Sequence, residues 1–165
     1  SLAGRDVLII GAGGAAAGCL APFVQAGARR IAVANRSPEK AQALVAQHLA
    51  MARHGGVTLG AYGLDDIPGP FEFVVNASAS SLAGEAAPVS AEVLTPDTLV
   101  VDLMYGPASQ GFLDWVRQQG AEGRDGLGML VEQAAEAFQL WRGVRPDSAQ
   151  VLAELEAARR APATL

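Results

Sequence analysis

Apolar residues along the chain come in short runs, separated by longer segments with helical spacing. Residues 6–10 (DVLII) are a β-branched run ending at glycines, the pattern of a buried parallel strand. Residues 14–26 then predict a helix rich in small side chains, stopped by Gly27. A second strand is predicted over 31–34 (IAVA). Ser37 and Pro38 open the next helix as N-cap and first helical residue. Its stripe of Ala41, Leu44, Val45 and Leu49 recurs at helical spacing. Residues 57–61 predict a weaker strand, and Pro68-Gly69-Pro70 breaks the chain. Further strands are predicted at 71–75 (FEFVV) and 99–103 (LVVDL), a short helix at 111–119, and a brief strand or extended link at 121–124. The long helix 126–141 carries Leu127, Leu130, Val131, Ala134 and Phe138 on one face, and a last amphipathic helix, 147–160, runs through Val151, Leu152 and Leu155. No internal repeat or low-complexity tract interrupts the pattern.

Strands alternating with helices define an α/β fold: a doubly wound parallel sheet of the Rossmann type, with helices on both faces. In such a sheet a ligand binds at the point where the strand order reverses. Five or six strands are already covered without the final helix, so its apolar stripe suits another domain or subunit. At 165 residues the chain fits one domain, long enough to bury roughly 70% of its unfolded surface. The first strand begins within a few residues of Ser1, which suggests a domain cut from a longer protein.

Composition narrows the class. With 50% hydrophobic and 18% charged residues, the chain is globular rather than disordered. A net charge of −5 gives no global attraction to nucleic acid or to an anionic membrane. No apolar run approaches the roughly 18 residues of a membrane span, and no secretory leader is read. One cysteine, Cys19, cannot form an internal disulfide, which fits a cytoplasmic location. Among alanines in a helix, Cys19 reads as a small buried residue. His48 and His54 lie at or beyond a helix end with no partners for a triad. No Cys–His spacing suits zinc. Glu132 and Glu136, one turn apart, read as an exposed helix face.

The strongest chemical signal is the run VLIIGAGGAAAG. Gly11-x-Gly13-x-x-Ala16 follows a strand directly and opens a helix, the context that a dinucleotide-binding turn requires. Gly11 permits the tight turn, Gly13 lets a pyrophosphate approach the backbone, and Ala16 allows close helix–sheet packing. The helix N-terminus offers free N–H groups and a partial positive charge. Ala12, Gly14 and Ala15 complete the candidate phosphate loop.

The end of the second strand chooses between nucleotides. NAD-binding versions usually carry Asp or Glu there, to accept from the ribose 2′-OH. This chain has Asn35-Arg36-Ser37-Pro38-Glu39-Lys40 instead. Arg36 can pair with a 2′-phosphate and stack on adenine, Ser37 adds a donor, and Lys40 a second charge. Basic residues at a helix start oppose the helix dipole, so a bound anion explains them better than solvent does. NADP is therefore the expected cofactor. The same residues argue against S-adenosylmethionine, whose ribose hydroxyls usually need an acidic partner.

With these segments in view, the chain resembles the NADP-binding half of shikimate dehydrogenases over nearly its whole length. The resemblance rests on GAGGAA (residues 11–16), NRSPEK (35–40), NAS (76–78), VDLMY (101–105) and DGLGMLVEQAA (125–135). It implies an oxidoreductase that reduces 3-dehydroshikimate to shikimate with NADPH, in the pathway to aromatic amino acids. It implies that Asn35, Arg36, Ser37 and Lys40 hold the 2′-phosphate end, with Lys40 where an arginine is common. Asn76, Ala77 and Ser78 would line the nucleotide crevice, Met104 would bind the cofactor, Gly126 and Met129 would flank its nicotinamide, and Tyr105 and Gln133 would touch substrate. Ser78 stands where the family usually has Thr, and Ser81 where it usually has Gly.

The family also uses an N-terminal domain of roughly 100 residues, which binds most of the substrate and supplies the lysine and aspartate that handle the proton. The only lysine in this chain is Lys40, so no catalytic residue is assigned here and no turnover is expected of the chain alone. A quinate-type relative and a stand-alone NADP-binding module are the other readings, and the chain is expected as monomer or homodimer. Apart from the resemblance, Asp102 reads as a loop or helix-cap residue, and Gln133 as an amide among apolar neighbours that must find a partner.

Overall fold

The computed structural model describes residues 1–78 and 88–160. In chain order the elements are β1 (Asp6–Ile10), α1 (Gly14–Gln25), β2 (Arg30–Ala34), α2 (Pro38–His54), β3 (Thr58–Tyr62) and β4 (Phe73–Asn76). A 3-10 turn at Ala91–Val93 leads into β5 (Leu99–Asp102), α3 (Pro107–Gln118), β6 (Glu122–Arg124), α4 (Leu127–Arg142) and α5 (Ser148–Arg160). The chain divides into two compact units, residues 1–125 and residues 126 onward.

The first unit holds a six-stranded parallel sheet in the order β3-β2-β1-β4-β5-β6. The chain winds outward from β1 to β3, then returns to β1's other side and winds outward again to β6. β1 is buried along its whole length, which is why its sequence is an unbroken apolar run. Because side chains alternate along a strand, its residues serve two cores. Val7 and Ile9 pack in a cluster with Leu20 and Val24 of α1 and Ala41 and Leu44 of α2. Leu8 and Ile10 pack in a second cluster with Phe112, Leu113 and Val116 of α3. The expected doubly wound sheet is present.

Two boundaries differ from expectation for clear reasons. Residue 71 is not yet in β4, because the Phe71 N–H donates to the Val93 carbonyl (3.0 Å) and ties the strand's approach to the 3-10 turn. α3 starts four residues before 111. Gly106, at φ +71°, turns the chain and Pro107 supplies a preset helical φ at the first turn, so Gly111 falls inside the helix.

In the second unit, α4 buries Leu127, Val131 and Ala135. The expected apolar face is only partly right, since Leu130 and Phe138 are exposed, and Leu140 and Trp141 are more than four-fifths exposed. The helix ends at Gly143 in the left-handed region, the usual C-terminal stop. On α5, Val151 and Leu155 are also exposed. Arg145, in the link, bonds Glu132 (2.7 Å) and Glu136 of α4, so those two carboxylates are exposed and paired with one guanidinium. Among the described residues no helix is long and apolar enough to cross a membrane.

A charged clamp closes the amino-terminal edge of the sheet. Asp6 accepts from Arg29 (2.8 Å) and Arg30 (2.8 Å), while its own N–H donates to Glu72 (2.7 Å). Arg30 also donates to the carbonyls of Pro68 and Pro70 and lies 4.5 Å over the Phe71 ring. A cavity of about 310 Å3 lies among these residues, at the end of the sheet away from the glycine turn. Burial pushes the Asp6 carboxyl up, but Arg29 and Arg30 outweigh it and hold the group below its usual value. A depressed carboxyl stabilises the fold above its unfolded pKa of about 3.9 and loses that contribution as pH falls through the folded value. Asp6→Asn is therefore expected to cost about 1 kcal/mol at pH 7. Thermal unfolding of variant and parent is expected to converge as pH drops from 5 towards 2; a constant gap would show that the ion pairs do not set it.

Candidate functional site

The carboxyl-terminal ends of β1, β2, β4 and β5 bring most of the expected site residues to one edge of the sheet. At the end of β1, Gly11 adopts φ +111° and its N–H donates to the Ala34 carbonyl (2.7 Å). A Cβ at Gly11 would lie 2.8 Å from the Ala77 carbonyl oxygen, so backbone meets backbone at this crossing. Gly13 and Gly14 differ: a Cβ at either meets nothing within 4 Å, and both residues are exposed. Ala15 is exposed, Ala12 half-buried and Ala16 fully buried against the sheet. No side chain caps the N-terminus of α1, and no acidic residue lies in its first turn. The segment is an open N–H cradle with nothing negative in it, which suits a pyrophosphate.

At the end of β2, the Asn35 N–H donates to the Tyr62 carbonyl (3.2 Å) and its amide to the Ser37 carbonyl (3.0 Å), which shapes the bend into α2. Ser37 is the N-cap residue, but its side chain makes no capping hydrogen bond. Arg36 and Lys40 are exposed, and neither joins an ion pair among the described residues. Two cations and a hydroxyl thus fall within five residues at the bend into α2, with Glu39 the one acid of its first turn.

Between β4 and β5 lies a buried polar network. Asn76 and Asp102 are both fully buried. The Asn76 side-chain oxygen accepts from the Ser78 N–H (3.1 Å) and hydroxyl (2.6 Å), and its amide faces Asp102 (3.4 Å). The Ala77 N–H donates to the Ile10 carbonyl (2.8 Å). Ser78 thus supplies the local hydroxyl that the family's usual threonine would, whereas Ser81 lies outside the described residues. Expected as a loop or helix-cap residue, Asp102 is instead the last residue of β5, and it accepts from the Met104 N–H (3.0 Å). Met104 is partly buried and Tyr105 half-exposed.

Gly126, Met129 and Gln133 belong to the second unit, spaced so that they share one face of the first turns of α4. Gly126 is buried, while Met129 and Gln133 are exposed. Gln133 is therefore no amide trapped among apolar neighbours. Cys19 is half-buried, and burial pushes its thiol up, which makes it a poor nucleophile. His48 approaches the Leu44 carbonyl of its own helix (2.9 Å). No cluster that could hold a metal occurs among the described residues. Sequence reasoning missed Asp125 and Gly106. The Gly106 N–H donates to Asp125 (3.3 Å), nineteen residues later, and only the acid before the long helix hinted at it.

The sheet order and the glycine turn at its reversal point define a Rossmann-type domain of the dinucleotide-binding class. Its particular family follows from comparison with known proteins. The model for shikimate / quinate 5-dehydrogenase matches residues 1–67, and that for the shikimate 5'-dehydrogenase C-terminal domain matches residues 126–156. The chain belongs to the shikimate dehydrogenase family. A shikimate dehydrogenase (NADP(+)) of Verminephrobacter eiseniae is 62% identical over 164 residues, covering 99% of this chain and 57% of that protein. A shikimate dehydrogenase solved in complex with NADP+ superposes with TM-score 0.77 at 29% identity, over 96% of this chain and 56% of that one. The 5-ketofructose reductase of a Gluconobacter strain gives 0.80 at 32% identity, over 96% of this chain and 58% of that one. The chain thus spans somewhat over half the length of the relatives it matches.

The crossing at Gly11 is testable by substitution. Gly11→Ala forces a side chain into left-handed geometry and onto the Ala77 carbonyl. It is expected to cost at least about 2 kcal/mol, or roughly 4–8 °C in Tm. Gly13→Ala, which meets open space, is expected to leave stability within about 1 kcal/mol of the parent's, read from the same unfolding curves.

Proposed function

We propose that residues 1–165 are the NADP-binding part of a cytoplasmic shikimate dehydrogenase, which reduces 3-dehydroshikimate to shikimate with NADPH. The observation that carries this reading is the pairing of an open glycine cradle with Arg36, Ser37 and Lys40 on the adjoining strand end. The residues fit the cofactor: Gly13 and Gly14 leave room for the pyrophosphate at the start of α1, which has no competing acid. Arg36 and Lys40 meet the 2′-phosphate, with Ser37 and Asn35 shaping the bend beneath it. Asn76, Ala77 and Ser78 line the crevice where the two halves of the sheet part. When bound, the nicotinamide supplies the hydride.

The chain's own part is to bind and orient. Met104, Gly126 and Met129 serve the nicotinamide half, while Tyr105 and Gln133 are directed to substrate. No group in these 165 residues is assigned to move the proton; the one lysine, Lys40, belongs to the cofactor phosphate. In this reading substrate capture and proton transfer fall to the part of the relatives outside the match, which covers 57% of the Verminephrobacter protein. Shikimate oxidation is accordingly expected only when that portion is supplied.

Calorimetric titration tests the reading. NADP+ is expected to bind at least tenfold more tightly than NAD+. Arg36→Ala is expected to weaken NADP+ roughly ten- to a hundredfold, the value of a hydrogen bond to a charged group, and to leave NAD+ nearly unchanged. Equal affinity for both nucleotides in the parent chain would remove the assignment of the strand-end cations.

A further inference from the structure

The turn after β5 is held far more firmly than a surface loop of its length requires. The Leu103 N–H donates to the Asn76 carbonyl (3.0 Å), and the Met104 N–H to the buried carboxylate of Asp102 (3.0 Å). The Gly106 N–H donates to Asp125 (3.3 Å), and the Gly106 carbonyl accepts from the Ser109 N–H (3.2 Å) and hydroxyl (2.9 Å). These partners come from β4, β5, the end of β6 and the first turn of α3. Gly106 sits at φ +71°, a conformation other residues resist. Between the two carboxylate-held amides lies Tyr105, half-exposed at the edge of the sheet.

We propose that Asp102 and Asp125 are positioning residues that fix the Met104–Tyr105–Gly106 turn from both sides as one wall of the nicotinamide end of the crevice. This rests on the cofactor site proposed above. In a doubly wound sheet, β1 to β3 carry the adenosine half of a dinucleotide and β4 to β6 the other half. The two carboxylates lie wholly on that second half. Asp102 ties the turn to Asn76 across the β4–β5 gap, and Asp125 ties it to the strand on the far side, so the turn cannot shift without breaking bonds to both neighbours. Their work is orientation: neither carboxylate is asked to touch the ligand.

The test separates the two ends of the cofactor. NADP+ and adenosine 2′,5′-bisphosphate, which has the adenosine and 2′-phosphate but no nicotinamide, are titrated into the parent chain and into Asp125→Ala, Asp125→Asn and Gly106→Ala. Asp125→Ala is expected to weaken NADP+ about tenfold, the value of one hydrogen bond to a charged group, and to leave the bisphosphate unchanged. Asp125→Asn keeps an acceptor oxygen and is expected to restore most of the loss. Gly106→Ala disturbs the same turn where a Cβ meets nothing within 4 Å, and gives a second route to the same selective loss if Asp125→Ala folds poorly. Equal losses on both ligands, or unchanged NADP+ affinity in Asp125→Ala and Gly106→Ala, overturn the proposal. A parent chain that binds neither ligand instead overturns the cofactor site itself, and this inference with it. A parent that binds the bisphosphate but gains nothing from the nicotinamide half overturns the inference alone.

Discussion

The close passage of Gly11 against the Ala77 carbonyl is the contact on which the ligand-facing edge depends. Strands β1 and β4 are neighbours in the sheet, but the strands that follow them lie on opposite sides, β2 beyond β1 and β5 beyond β4. At such a reversal point a doubly wound sheet places its ligand crevice, and how closely the two backbones run there bounds its width. A methyl group at Gly11 would push them apart at that point. The free N–H groups of α1 on one side and the Asn76–Asp102 network on the other therefore keep their spacing because one residue has no side chain. The fully buried polar pair matters for the same reason, since Asn76 and Asp102 hold the far wall without leaving their polar atoms unsatisfied.

The fold was legible because the sheet is parallel. Strands buried on both faces must be apolar throughout, and DVLII, IAVA and LVVDL stand out from the amphipathic helices between them. Boundaries were harder where a distant partner decides them. Nothing local in FEFVV says that Phe71 will pair with Val93 instead of the sheet, and nothing in GPASQG says that a left-handed Gly106 lets α3 start at once. On α4 the spacing correctly marked an apolar surface, but periodicity does not say what covers it. Leu127 and Val131 are buried, while Leu130 and Phe138 on the same broad stripe face outward.

The site divides in the same way. The placement of the glycine turn between β1 and α1, and of the cations at the bend into α2, was legible because each segment is contiguous. Asp125 and Gly106 were not, because their hydrogen bond joins residues nineteen apart and only the β5–β6 pairing brings them together. Asp102 reads as a loop or helix-cap residue for a related reason: an aspartate at a strand end has many uses, and its burial beside Asn76 comes from the neighbouring strand.

Residues 35–40 stand apart from both hydrophobic clusters. Among the described residues Arg36 and Lys40 make no ion pair, whereas Asp6, Arg29, Arg30 and Glu72 at the opposite edge of the sheet are bonded to one another. One end of the sheet is therefore mechanically committed and the other is free to vary. If residues 35–40 hold the cofactor as proposed, a lineage carrying this domain can rewrite its nucleotide preference through a handful of surface codons while the interior drifts on its own schedule, and cofactor choice and fold become separately heritable traits of the same short chain.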